Sequence, residues 1–159
     1  MDFIAAFKVL IGNERGYVND PAYPGGETKF GISKRSYPGE DIAGMTLERA
    51  QQIYLREYWG PAGCDAVPDA LKFDLFDMAV NQGVKPAIKA LQHAAGQIED
   101  GVLGPHTVLA VQALPPAKLL FRFDAARLVH YAEVNDTRWL RFGRGWVRRV
   151  AANMVQAAA

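Results

Sequence analysis

The chain has 159 residues, half of them hydrophobic, enough to bury a self-sufficient core in one unit or in a lobe with a small appendix. A formal charge of +1 gives no drive toward polyanions from net charge alone, and the lone Cys64 excludes an intramolecular disulfide. No apolar run approaches a transmembrane helix, and Asp2 and Lys8 interrupt Phe3 to Ile11, so no signal peptide is read there.

The first predicted helix is capped by Asp2. Phe3, Phe7, Leu10 and Glu14 follow at steps of four, three and four, which puts a carboxylate on an apolar stripe. Gly16 is expected to end that helix, leaving Glu14 near a C-terminal dipole. Desolvation and dipole would then both raise its pKa, as an acid that protonates a leaving group requires. Asn19-Asp20-Pro21 and Pro24-Gly25-Gly26 are turn signals. With Tyr17-Val18 before them and Phe30-Gly31-Ile32 after, they predict a short, irregular hairpin that folds back toward Glu14. Asp20 and Thr28 are then candidates to orient an attacking water, Tyr17 and Lys29 to contact substrate. Equally, Asp20 can make an Asx-turn and Thr28 can bond its own loop backbone.

The run from Glu14 to Ile32, with Glu-x-Gly-Tyr, Asn-Asp-Pro, Pro-Gly-Gly-x-Thr and Phe-Gly-Ile, resembles the signature of glycoside hydrolase family 108, the phage and prophage N-acetylmuramidases. The Glu-Asp-Thr order is also similar to the catalytic triad of phage-type lysozymes, at different intervals. The resemblance implies a mainly helical, lysozyme-like all-α fold with a small hairpin at the active site. It also implies a catalytic glutamate at Glu14 and peptidoglycan as substrate; no cofactor and no metal are expected. A protein made in the bacterial cytoplasm without a signal peptide would then need another factor, a holin in the phage case, to reach the wall. Arg15 stands where a second glycine is usual, and Tyr23 where an acidic residue is common.

Ser33 to Tyr37 predicts a short helix stopped by Pro38-Gly39. Thr46 caps a second main helix, with Glu48 in its first turn and Leu47, Ala50, Ile53, Tyr54, Glu57 and Tyr58 as its stripe until Gly60-Pro61. Tyr54 is expected to pack on the first helix, whereas Trp59 reads equally as core or as a platform for a sugar face. From Asp69 to Gln82 apolar residues fall nearly all the way round, which marks a central buried helix. Asp77 and Asn81 share a face of it and need partners. They can tie a helix end to the core, or Asn81 can reach a sugar cleft, an option favoured by the similarity of Phe-Asp-x-Ala-Val-Asn-x-Gly to a muramidase segment.

Residues 1–85 therefore read as a catalytic lobe and 86–159 as a helical region packed on it. In the latter, Leu91-Gln92, Asp100-Gly101, Gly104-Pro105 and Thr107 resemble a two-helix peptidoglycan-binding motif, although such a helix-loop-helix can equally be plain packing. Pro115-Pro116 opens a long amphipathic helix to about Val134. The end, with Phe142-Gly143-Arg144-Gly145-Trp146, resembles the muramidase C-terminus. Trp139 and Trp146 are expected to pin the last helix, and the glycines between them allow a sharp bend. Residues 137 to 159 hold Arg138, Arg141, Arg144, Arg148 and Arg149 and no acid. That face can meet an anionic polymer or membrane surface, or pair with acids elsewhere.

His93, His106 and His130 show no metal-ligand spacing, Cys64 has no peptidase signature around it, and phosphate-loop patterns are absent. Five arginines alone do not make a nucleic-acid site. Besides a muramidase, the pattern leaves a lytic transglycosylase, which needs no Asp20, and a wall-binding protein without catalysis.

Overall fold

The computed structural model describes residues 1–12, 16–19 and 26–157. It is mainly helical, as expected, and its contacts divide it into two compact units, Asp2–Glu57 and the chain from Tyr58 onward together with Met1.

In the first unit α1 spans Phe3–Ile11. Asp2 caps it by accepting the Ala5 amide at 2.8 Å, and Ala6, Phe7 and Ile11 form the buried stripe. The helix stops at Gly12, whose φ of 52° lies where glycine is favoured, and not at Gly16 as expected. Glu14, which the expected stripe carries, lies outside the described residues. The hairpin is displaced from the prediction: Phe30-Gly31, expected in its second arm, forms a turn. Val18 bridges Thr28, and β1 (Thr28–Lys29) pairs antiparallel with β2 (Ile32–Ser33), with Thr28 opposite Ser33 and Lys29 opposite Ile32. The β1–β2 turn is the pair Phe30-Gly31 at φ 52° and 77°, both positive as a tight two-residue connection requires.

Tyr54 supports that turn from beneath. Its hydroxyl donates to the Phe30 carbonyl at 3.1 Å, and its ring meets Phe7 edge-on at 5.3 Å, the packing on α1 expected from the sequence. A Cβ on Gly31 would stand 2.6 Å from the same hydroxyl, so the close approach as well as the backbone angle calls for glycine. Ser33 to Tyr37 forms turns rather than the expected helix, held by the Ser36 and Tyr37 amides donating to the Ser33 carbonyl at 3.1 and 3.0 Å. Thr46 caps α2 (Leu47–Tyr54) by accepting the Arg49 amide at 3.1 Å. Arg49 grips the Glu40 carboxylate with two nitrogens and holds that carboxyl below its usual range. The chain then runs through a π-helical turn (Leu55–Trp59), a single α-turn α3 (Gly60–Ala62) and a 3-10 turn (Cys64–Ala66).

In the second unit α4 (Asp69–Gln82) is the buried centre, with α5 (Val84–Ala94) and α7 (Pro116–Glu133) packed on it. The segment between α5 and α6 (Pro105–Ala113) is fastened by one side chain. Buried Gln92 donates to Asp100 Oδ1 at 2.7 Å and to the Val102 carbonyl at 3.0 Å, and its oxygen accepts the Gly101 amide at 2.8 Å. Thr107 Oγ1 lies at 3.4 Å from the same amide nitrogen. Gln92, Asp100 and Gly101 of the predicted two-helix motif are thus engaged with one another, holding their own loop.

The last helix, α8 (Asp136–Ala157), continues unbroken through Gly143 and Gly145. Gly143 serves packing: a Cβ there would stand 2.5 Å from the Trp139 ring. Trp146 is buried against Tyr131 at 5.2 Å and pins the helix as expected, whereas Trp139 stays 39% exposed.

Candidate functional site

Of the residues expected to carry chemistry, Glu14 and Asp20 lie outside the described residues, and Tyr17, Thr28 and Lys29 sit together on the hairpin. Side chains alternate along paired strands, so the Val18–Thr28 bridge puts those two on one face and Tyr17, Asn19, Glu27 and Lys29 on the other. The second face is polar and linked. The Tyr17 hydroxyl donates to Glu27 Oε1 at 2.8 Å, and that bond, with a smaller desolvation effect, holds the phenol above its ordinary pKa. Lys29 Nζ donates to the Ala43 carbonyl at 2.9 Å, which fixes its ammonium over the hairpin edge. Tyr17 remains 42% exposed, so its ring presents a flat amphipathic surface beside a carboxylate and an ammonium, the groups a sugar's faces and hydroxyls can meet. Thr28 Oγ1 donates to the Gly26 carbonyl at 3.2 Å, a bond within its own loop.

Glu27 carries no motif of its own in the sequence, where it is the variable position of Pro-Gly-Gly-x-Thr. Its only signal was the alternation that sets it on the Tyr17 face.

The second unit holds the other two candidates. Trp59 is 1% exposed and packs edge-on to Phe76 at 5.4 Å; its ring is used in the core and offers no platform to a sugar. Asn81 donates from Nδ2 to the Asp77 carbonyl at 2.8 Å and to Asp77 Oδ1 at 3.0 Å, so it belongs to a buried polar network. At the centre of that network Arg127 Nη2 meets Asp77 Oδ2 while its Nε donates to Tyr131 at 2.6 Å. Arg149 reaches Asp77 Oδ1 at 3.1 Å, and Asn153 donates to Asp74 Oδ1 at 2.8 Å. Three buried aspartates, Asp74, Asp77 and Asp124, thus face one buried arginine and one half-exposed one. Both oxygens of Asp124 lack a hydrogen-bond partner, and burial followed by the charge of Asp74 pushes its carboxyl up to about 7. Such a network fixes helices to one another.

Among the described residues no group of three histidine, cysteine or acidic side chains could hold a metal ion, and no helix is long and apolar enough to cross a membrane.

Among curated proteins no relative matches the chain. Among solved structures it is similar to Brucella abortus SagA, at 29% identity and a TM-score of 0.84, over 98% of this chain and 93% of that one. Residues 7–83, the stretch that contains Glu14, Asp20, the hairpin and α2 to α4, match the family model described as Glycosyl hydrolase 108.

Proposed function

We propose that the protein is a peptidoglycan hydrolase, an N-acetylmuramidase that cleaves the β-1,4 bond between N-acetylmuramic acid and N-acetylglucosamine. The observation that carries this reading is the glycosyl hydrolase match over residues 7–83, which includes the Glu14 to Ile32 run. The likeness to SagA along nearly the whole chain supports it.

In this mechanism Glu14 protonates the departing glycosidic oxygen, and Asp20 with Thr28 holds the attacking water or stabilises positive charge on the sugar ring. The polar hairpin face supplies orientation. Tyr17 stacks on a sugar, Lys29 meets an acyl or lactyl oxygen, and Glu27 keeps the Tyr17 ring in place through its hydroxyl. Peptidoglycan is the partner polymer. The enzyme is made in the cytoplasm and acts on the wall after release, through a holin if the gene is of phage origin.

The test is a clearing assay on purified peptidoglycan. Wild type reduces turbidity, Glu14→Gln loses at least a hundredfold in rate with its helical circular dichroism intact, and Asp20→Ala loses less. Mass spectra of the products should show reducing ends; 1,6-anhydro ends would reject hydrolysis in favour of a transglycosylase. A Glu14→Gln protein as active as wild type would remove the proposed acid.

A further inference from the structure

A groove of about 530 Å³ lies between α5 and α7, well away in sequence from the hairpin residues. It is lined on the α5 side by Lys89 and His93, on the α7 side by His130 and Glu133, and closed by Glu99 from the loop after α5. A second hollow of about 360 Å³ shares His93, Ala126 and Val129 with it and extends it to Arg122. The two form one trough whose floor is small and apolar, Ala90, Ala94 and Ala126 among others. Volumes of this order are those of ligand sites.

Its charges are ordered and balanced. Arg122 stands at one end, where Nη1 donates to the Ala94 carbonyl at 3.4 Å, and Glu133 at the other. Between them lie Lys89 and the His93–Glu99 pair, joined at 2.8 Å. Burial lowers the His130 pKa, so that ring is neutral near pH 7 and presents one donor and one acceptor. Two cations against two carboxylates give no field that would gather a polyanion. They fit a short ligand carrying both carboxylates and an amine. The α7 residues from Arg122 to Glu133 span roughly 16 Å at a rise of about 1.5 Å each, which is the reach of about four or five extended peptide residues.

We propose that the trough between α5 and α7 binds the peptide branch of peptidoglycan, with a stem carboxylate on Arg122, the free amine of its dibasic residue between Glu99 and Glu133, and alanine methyls on the apolar floor. The proposal rests on the hydrolase reading above and adds a peptide subsite to it. Holding the branch raises the local concentration of glycan chain and lets the enzyme prefer peptide-bearing strands.

Two measurements separate the two readings. In the first, the sugar-free tetrapeptide L-Ala-γ-D-Glu-meso-diaminopimelyl-D-Ala is titrated into the ¹⁵N-labelled full chain. Saturable shifts are expected for amides around His93, Ala126 and Val129, with affinity weakened at least tenfold by Arg122→Glu and by Glu133→Lys, both exposed positions whose variants should keep the wild-type circular dichroism. In the second, cleavage is compared on intact peptidoglycan and on glycan strands stripped of peptide by an amidase. The variants should raise KM on the intact polymer and leave both kcat and the rate on stripped strands unchanged. No shifts at millimolar peptide, or variants that bind it like wild type, would overturn the trough assignment even if the polymer is cut. Peptide binding at these amides without cleavage of either substrate would uphold the trough and defeat the hydrolase reading.

Discussion

Replacing Asp124 by asparagine should stabilise the protein above neutrality and change nothing near pH 4 beyond a constant offset. The carboxyl is 1% exposed, its two oxygens have no donor, and it faces Asp74 and Asp77 on α4 with Arg127 as the opposing charge. The folded state raises its pKa from 3.8 to about 7. Between those values the folded chain keeps a proton that the unfolded chain has released, so stability falls as pH rises through the window, and the loss is complete above about 7. At about 1.4 kcal/mol per pH unit this amounts to at most about 4 kcal/mol, and relaxation of the cluster reduces it to roughly 2–4. For a chain of this size that corresponds to roughly 5–15 °C in Tm. Calorimetry of wild type and Asp124→Asn from pH 4 to 8 reads the effect as the difference between the two proteins. Groups such as His130 and Glu40 titrate in both and cancel. A difference that stays flat across the range, or grows toward acid, would refute the buried-proton argument.

Three further outcomes follow from particular contacts. Gly31→Ala forces a Cβ to 2.6 Å from the Tyr54 hydroxyl at a φ of 77°, and should cost about 1–3 kcal/mol in urea unfolding; adding Tyr54→Phe relieves the contact but not the backbone strain, so the double variant should cost less than the sum of the two single changes. Gln92→Ala strips the α5–α6 loop of its fastening and returns the part-exposed groups it held to solvent; a loss of roughly 1–3 kcal/mol, with faster amide exchange at Gly101 and Val102, is expected. Cys64 is fully buried, and burial pushes its thiol up to about 12. An Ellman reagent should therefore react only at the rate of unfolding, and fast labelling of the native protein would contradict the packing.

Periodicity and caps were enough to locate α2, the buried α4 and the long α7. In each, apolar spacing and a Thr, Pro or Gly boundary agree with the tertiary packing. The end of α1 was misplaced because Gly12 and Gly16 offer the same left-handed exit, and local chemistry does not say which is taken. Glycine at 143 and 145 allows a bend, but close packing of Trp139 on the helix needs glycine at 143 just as much, and the sequence does not distinguish the two uses. Of the hairpin site, Tyr17 and Lys29 were visible as polar residues beside turn signals, whereas Glu27 needed the strand register. Asp77 and Asn81 announced a buried polar pair, but the partner Arg127 lies 50 residues from Asp77, and no local pattern marks a charge as buried.

Arg149 and Asn153 come into contact with the carboxylates of α4 across 72 to 79 residues of chain. On the ribosome α4 is made long before α8, so a nascent chain carries Asp74 and Asp77 without their distal counter-groups until the tail has cleared the exit tunnel. Asp77 in particular would sit half-neutralised in a forming core, a state that favours holding the helices loosely apart. Final closure of this unit is thereby deferred until α8 has emerged, and nonsense or frameshift lesions between Val134 and Arg149 should yield products recognised by chaperones and proteases even though every helix up to α7 is present.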